Sequence, residues 1–161
     1  MSLKLWIATA FDPVYGNGGW AYVRADAAGL SGKAGGERRT TAGALGPLAI
    51  AAALADVDLK TPLTVYASPA LAAGLAALPV WAAAGWRTDD NEPVPDRVQW
   101  EPLLPKLGAR PLTLLAAPQG ADTPTAFCAA WAELGRDKAK ATGKPFASAI
   151  PKPNLSKVKG L

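Results

Sequence analysis

Of 161 residues, half are hydrophobic, but 35 are Ala and only 34 are Leu, Ile, Val or Phe, which describes one domain with a thin, Ala-rich core. The absence of His and the single Cys128 exclude Ser-His-Asp and Cys-His catalysis, imidazole metal sites, disulfide frameworks and paired-thiol redox chemistry. The net charge of +4 gathers late in the chain: residues 136–161 hold Arg136, Lys138, Lys140, Lys144, Lys152, Lys157 and Lys159 against Asp137 alone, whereas residues 1–135 hold 10 Lys/Arg and 12 Asp/Glu.

The first apolar, β-rich run is Lys4–Phe11, ended by Asp12-Pro13. Asn17-Gly18-Gly19 carries turn chemistry, Trp20–Arg24 reads as a second strand, and Ala27-Ala28-Gly29 as a hairpin turn into a third strand over residues 30–41. Residues 47–55 are helical in composition, with Pro47 suited to a first turn. Leu63–Ala67 predicts a short buried strand, and Ser68-Pro69 the N-cap and first position of a helix to about Leu78. Pro79–Ala84 reads as another short helix, residues 96–107 as a helix disturbed by Pro102 and Pro105, and Pro111–Ala117 as a fifth strand. Thr123-Pro124 opens a long helix to about Thr142, closed by Gly143. These elements predict an α/β domain over residues 1–142. Pro145, Pro151, Pro153 and scattered lysines predict a basic, poorly ordered tail over 143–161. No apolar run is long enough to span a bilayer and no signal-peptide pattern opens the chain, so a cytoplasmic protein without membrane contact is expected. A lone Cys such as Cys128 reads as a core filler.

Five segments, in order, resemble type 1 ribonuclease H over about residues 4–136. They are Ile7-Ala8-Thr9-Ala10 with Gly16–Trp20; Gly36–Thr41; Val65–Ser68; Val80-Trp81, Gly85–Thr88, Pro93-Val94 and Gln99-Trp100; and Phe127–Glu133 around Cys128. The resemblance implies a mixed five-stranded sheet of order 3-2-1-4-5 with helices on both faces. It also implies cleavage of the RNA strand of an RNA/DNA hybrid by two Mg²⁺ ions held on four carboxylates, an arrangement that depends on several anionic oxygens together.

The acids are missing from the matching positions. The first-strand Asp falls at Ala10, the first-helix Glu at Gly46, the middle-strand Asp at Ala67, and the last-helix Asp, one residue past the Cys, at Ala129; the mobile His falls near Gln119. No catalytic residue and no magnesium cofactor are therefore expected. Asp12, on the face of Ala10 if the strand continues, and Asp122 are the acids that could have moved in.

The segment that handles substrate in the family holds Ala82-Ala83-Ala84 and Asp89-Asp90-Asn91-Glu92 here, which opposes a phosphate backbone. Trp81, Trp86 and Trp100 could stack on bases but are expected to pack that segment onto the body. What remains for phosphate contact is Asn17, Gly18 and Gly19 in the turn, Arg39, Thr40 and Thr41, and Lys138, Lys140 and Lys144. Two readings stay open: an inactive relative that binds nucleic acid, or a module whose old cleft or alanine face meets a protein partner or a second copy.

Overall fold

The structure, a computed structural model, describes residues 2–108 and 110–161. Three antiparallel strands come first: β1 (Leu3–Phe11), β2 (Gly18–Asp26) and β3 (Gly29–Glu37). In β1 the two-residue period places Leu3, Leu5 and Ile7 in one apolar cluster and Trp6 in another, so the sheet is buried on both faces.

Helix α1 (Ala42–Leu54) then leads to β4 (Leu63–Ala67), and α2 (Pro69–Ala83) follows. Strand β4 lies parallel to β1, with Leu3 opposite Leu63 and Trp6 opposite Tyr66. After α3 (Arg97–Trp100) and α4 (Leu103–Leu107), strand β5 (Leu112–Ala116) pairs parallel to β4. Helix α5 (Pro124–Thr142) is capped at one end by the Thr123 hydroxyl, which accepts from the Ala126 amide at 3.1 Å, and at the other by Gly143 at φ 69°.

Two prolines sit deeper in helices than expected. α1 starts at Ala42, so Pro47 lies inside it, and α2 runs through Pro79, merging what read as two helices. Each ring costs one backbone hydrogen bond, and burial on the same helix, Leu45 and Ile50 in α1 and Leu75 and Leu78 in α2, offsets it. The third strand stops at Glu37 rather than Thr41, because Arg39 turns into the left-handed region at φ 52°.

The larger correction concerns residues 143–161. Phe146–Ala149 form a sixth strand, β6, antiparallel to β3, and α6 (Lys152–Leu155) follows. The sheet order is β5-β4-β1-β2-β3-β6, so the expected five-strand order is present with one strand added at the β3 edge. Ile150, Leu155 and Val158 are buried beside Val23, Ala34 and Cys128. Charge and proline content suggested an unstructured tail, but three apolar residues spaced through it cover sheet surface that α5 leaves open. Domain and tail are one folded unit.

Candidate nucleic-acid interface

Of the four positions that the resemblance assigns to metal-binding acids, Ala10, Gly46 and Ala67 lie against apolar side chains. Ala67 is buried in the cluster that holds Leu71, and Ala10 packs at the fringe of the Trp6–Cys128 cluster. Gly46 faces Leu71 of α2: a Cβ at residue 46 would stand 2.7 Å from Leu71 Cδ1, so the space a side chain would use is filled. Ala10 does not sit beside Ala67. The β1–β4 pairing ends at Trp6–Tyr66, while Ala10 lies further along, opposite Gly19 of β2. Ala8 shares its face and is equally uncharged. Ala10, Gly46, Ala67 and Ala129 offer no side-chain oxygen, so at the positions that the resemblance assigns these residues do not fit a two-metal carboxylate centre.

Nor have the two spare acids moved in. Asp12 accepts the Val14 amide through Oδ1 at 3.0 Å and shapes the β1–β2 turn. Asp122 lies 3.5 Å from Lys159 Nζ, outside the N-terminus of α5. Among the described residues no three acidic or thiol side chains converge.

The residues picked for phosphate contact divide into two sets. Gly18 and Gly19 belong to β2 rather than to an open turn: Gly18 pairs with Phe11 and Glu37, Gly19 with Ala10 and Gly36, and both are buried. A Cβ on Gly19 would collide with the Ala132 carbonyl, and one on Gly135 with the Gly35 carbonyl, so these glycines let α5 lie directly on the sheet. Asn17 is buried as well, and its Oδ1 meets no donor among the described residues. Thr41 donates its hydroxyl to Asp96 Oδ1 at 2.6 Å, and the Asp96 carboxylate lies against Gly43 in the first turn of α1. An acid from the chain thus stands where a helix N-terminus would favour an anion.

In the second set Arg39, Lys138, Lys140 and Lys144 are exposed and Thr40 is half-buried. Thr40 donates its amide to the Gly16 carbonyl at 3.0 Å, which ties the Arg39–Thr41 connection to the β1–β2 turn. Lys140 Nζ lies 5.5 Å from the centre of the Tyr15 ring in that turn, and Lys138 Nζ lies 4.6 Å from the Phe146 ring of β6. Arg38 reaches Gly143, where a Cβ would stand 3.7 Å from Nη1, next to Lys144. Arg136, which sequence reasoning counted only as a charge, lines a groove of about 390 Å³ with Lys140, Tyr15, Asp12 and Asp137. The sequence signal was the Arg136–Lys140 spacing, one turn of a helix. Lys159 stands at the other end of α5, by Asp122, so the seven late cations do not act as one patch.

Trp86 and Trp100 are buried, and Trp81 meets Trp100 edge-on at 5.6 Å; all three pack the α2–α3 region. Arg97 covers the Trp86 ring at 5.2 Å. Cys128 is wholly buried, its Sγ 3.6 Å from the Trp6 carbonyl, and burial pushes the thiol up to about 12.

A mixed sheet whose antiparallel β1–β3 meander continues through parallel β4 and β5, with α5 across one face, is the ribonuclease H-like fold. Solved structures agree. A type 1 RNase H with the type 2 active-site motif, LC9-RNase H1, superposes with a TM-score of 0.65 at 9% identity, covering 98% of this chain and 85% of that one. The RNase H1 of the halophilic archaeon Halobacterium salinarum NRC-1 gives 0.51 at 18% identity, over 86% of this chain and 100% of that one. The foamy viral protease-reverse transcriptase in complex with an RNA/DNA hybrid gives 0.65 at 14% identity, over 85% of this chain, which spans only 20% of that protein. No protein-family profile and no curated protein sequence matches the chain. Among the described residues no helix is long and apolar enough to cross a membrane.

Proposed function

We propose that the chain is a catalytically silent ribonuclease H-like protein that binds nucleic acid, RNA/DNA hybrid included, without cleaving it and without magnesium. The observation that carries this reading is that Arg136 and Lys140 of α5 line a groove with the β1–β2 turn, to which the Arg39–Thr41 connection is tied, while Arg38 reaches Gly143 next to Lys144. Such a cluster neutralises backbone phosphates and reads no base edges, so binding is salt-dependent and tolerant of sequence. Silence follows from Ala10, Gly46, Ala67 and Ala129 at the acid positions and from Leu71 in the space beside Gly46.

Purified protein is mixed with labelled hybrid, duplex and single-stranded probes over a salt series, and hybrid cleavage is followed with Mg²⁺ or Mn²⁺. No cleavage is expected, with a log–log salt slope of roughly −4 on duplex from four or five engaged cations. Cleavage that Asp12→Asn or Asp122→Asn abolishes overturns the silent reading. No binding to any probe at low salt overturns the nucleic-acid reading. It leaves a protein-interaction or self-association module, which Val80 and Val98 favour, exposed at 61% and 80% on the α2–α3 region.

A further inference from the structure

The groove between the β1–β2 turn and the last turns of α5 has a feature that a phosphate clamp alone does not need. Tyr15 is 68% exposed at its rim and Val14 beside it 75% exposed, on a turn whose shape the Asp12–Val14 and Gly16–Thr40 hydrogen bonds hold. Lys140 lies over one face of the Tyr15 ring, so the ring is braced on that side, and its high exposure leaves the other face to solvent. Arg136 enters the same groove. Its Nε is 3.1 Å from Asp137 Oδ1, and among the described residues no hydrogen bond takes its Nη groups. The acids of the groove are already engaged: Asp12 with the Val14 amide, Asp137 with Arg136. A braced aromatic ring beside two cations is the arrangement that holds a base by stacking and its phosphate by charge.

We infer that this groove takes an unpaired nucleotide of a single-stranded nucleic acid, with the base on the open face of Tyr15 and the adjoining phosphates on Arg136 and Lys140. The inference rests on the nucleic-acid reading above and narrows it, because a base still paired in a duplex cannot present its face to the ring.

The test uses the full chain and three probes: a thymidine oligonucleotide, an abasic oligonucleotide of equal length, and a duplex. Tyr15 is exposed, so its variants leave the core intact. Tyr15→Leu is expected to weaken thymidine-strand binding about 5- to 150-fold, the range for one lost base–aromatic stack, and to leave abasic and duplex binding unchanged. Tyr15→Phe restores the affinity, since the ring and not the hydroxyl does the stacking. Lys140→Gln lowers the salt slope on the single strand by about 0.7 without removing the preference for thymidine over abasic strand. If Tyr15→Leu changes thymidine and abasic binding equally, or neither, the inference fails while nucleic-acid binding stands. If the unmodified chain binds no probe at low salt, the functional reading fails and the inference with it.

Discussion

Truncating Leu155 tests whether residues 143–161 belong to the folded domain. The side chain is 4% exposed and packs in the cluster of Val23, Ala34, Cys128, Ile150 and Val158. It reaches the sheet itself: a Cβ on Gly32 of β3 would stand 3.4 Å from Leu155 Cδ2. Buried Leu→Ala changes cost about 2–5 kcal/mol, and the low end, about 2–3, applies here because the short α6 close to the chain end can settle into the space left. At roughly 2–4 °C per kcal/mol for a chain of this size, Leu155→Ala lowers Tm by about 5–10 °C. Lys152→Ala, on the same element but exposed, changes stability by no more than about 0.5 kcal/mol. Circular dichroism melts measure both. Hydrogen exchange at Lys33–Gly36, the residues that pair with β6, accelerates in Leu155→Ala only. A Tm for Leu155→Ala within about 1 °C of the parent, with unchanged exchange, refutes the reasoning and returns the segment to the status of a loose tail.

Two further outcomes follow from titratable groups. Arg24 grips Asp56 through both guanidinium ends, at 2.6 and 2.9 Å, and holds its carboxyl down at about 2. A lowered carboxylate stabilises the fold above its unfolded pKa and loses that contribution as pH falls through the folded value. Asp56→Asn therefore costs up to about 1 kcal/mol at neutral pH, small because Asp56 is exposed, and urea midpoints of parent and variant converge by about pH 2; an equal gap at both ends contradicts the assignment. Cys128, with its thiol pushed up to about 12, resists alkylation at mildly alkaline pH until the chain unfolds, so its labelling rate tracks denaturant unfolding and not thiol titration. Fast labelling of the native protein removes Cys128 from the core.

The strands of the domain were legible because their residues obey the two-residue period or form short apolar runs between turn signals, as Leu63–Ala67 does between Pro62 and Ser68-Pro69. The order of five strands came from the family resemblance and matched the sheet. β6 escaped notice because Phe146–Ala149 has one large residue and three small ones, and edge pairing with β3 depends on backbone groups that composition does not report. The site was half legible. Lys140 and Arg39 were visible as charges, but their approach to the Tyr15 turn depends on where α5 ends and on the left-handed turn at Arg39. Gly18 and Gly19 read as turn residues because glycine permits close approach of backbone to any neighbour; in the structure they belong to β2, with Leu45 of α1 against Gly18 and α5 against Gly19.

Leu71 fills the space beside Gly46, the position that the resemblance assigns to the first-helix Glu, so an acid there meets apolar packing. Putting one acid back exposes the cost. Gly46 is buried, and a Glu there must displace Leu71 and put its carboxylate into the apolar cluster that holds Leu71. Gly46→Ala serves as the control: the gain of up to about 1 kcal/mol expected for Gly→Ala in a helix offsets the small shift Leu71 must make. Gly46→Glu costs about 2–4 kcal/mol more than Gly46→Ala at neutral pH, as an unpaired buried charge does. Burial raises the carboxyl above its unfolded value, so the folded state binds the proton more tightly and the penalty grows as pH rises through the unfolded pKa of about 4.3. Melting both variants at about pH 4 and about pH 8 separates the readings. A deficit that widens toward alkaline pH, and that Mg²⁺ does not relieve, shows residue 46 to be core; a deficit that Mg²⁺ abolishes shows that a metal pocket survives around it.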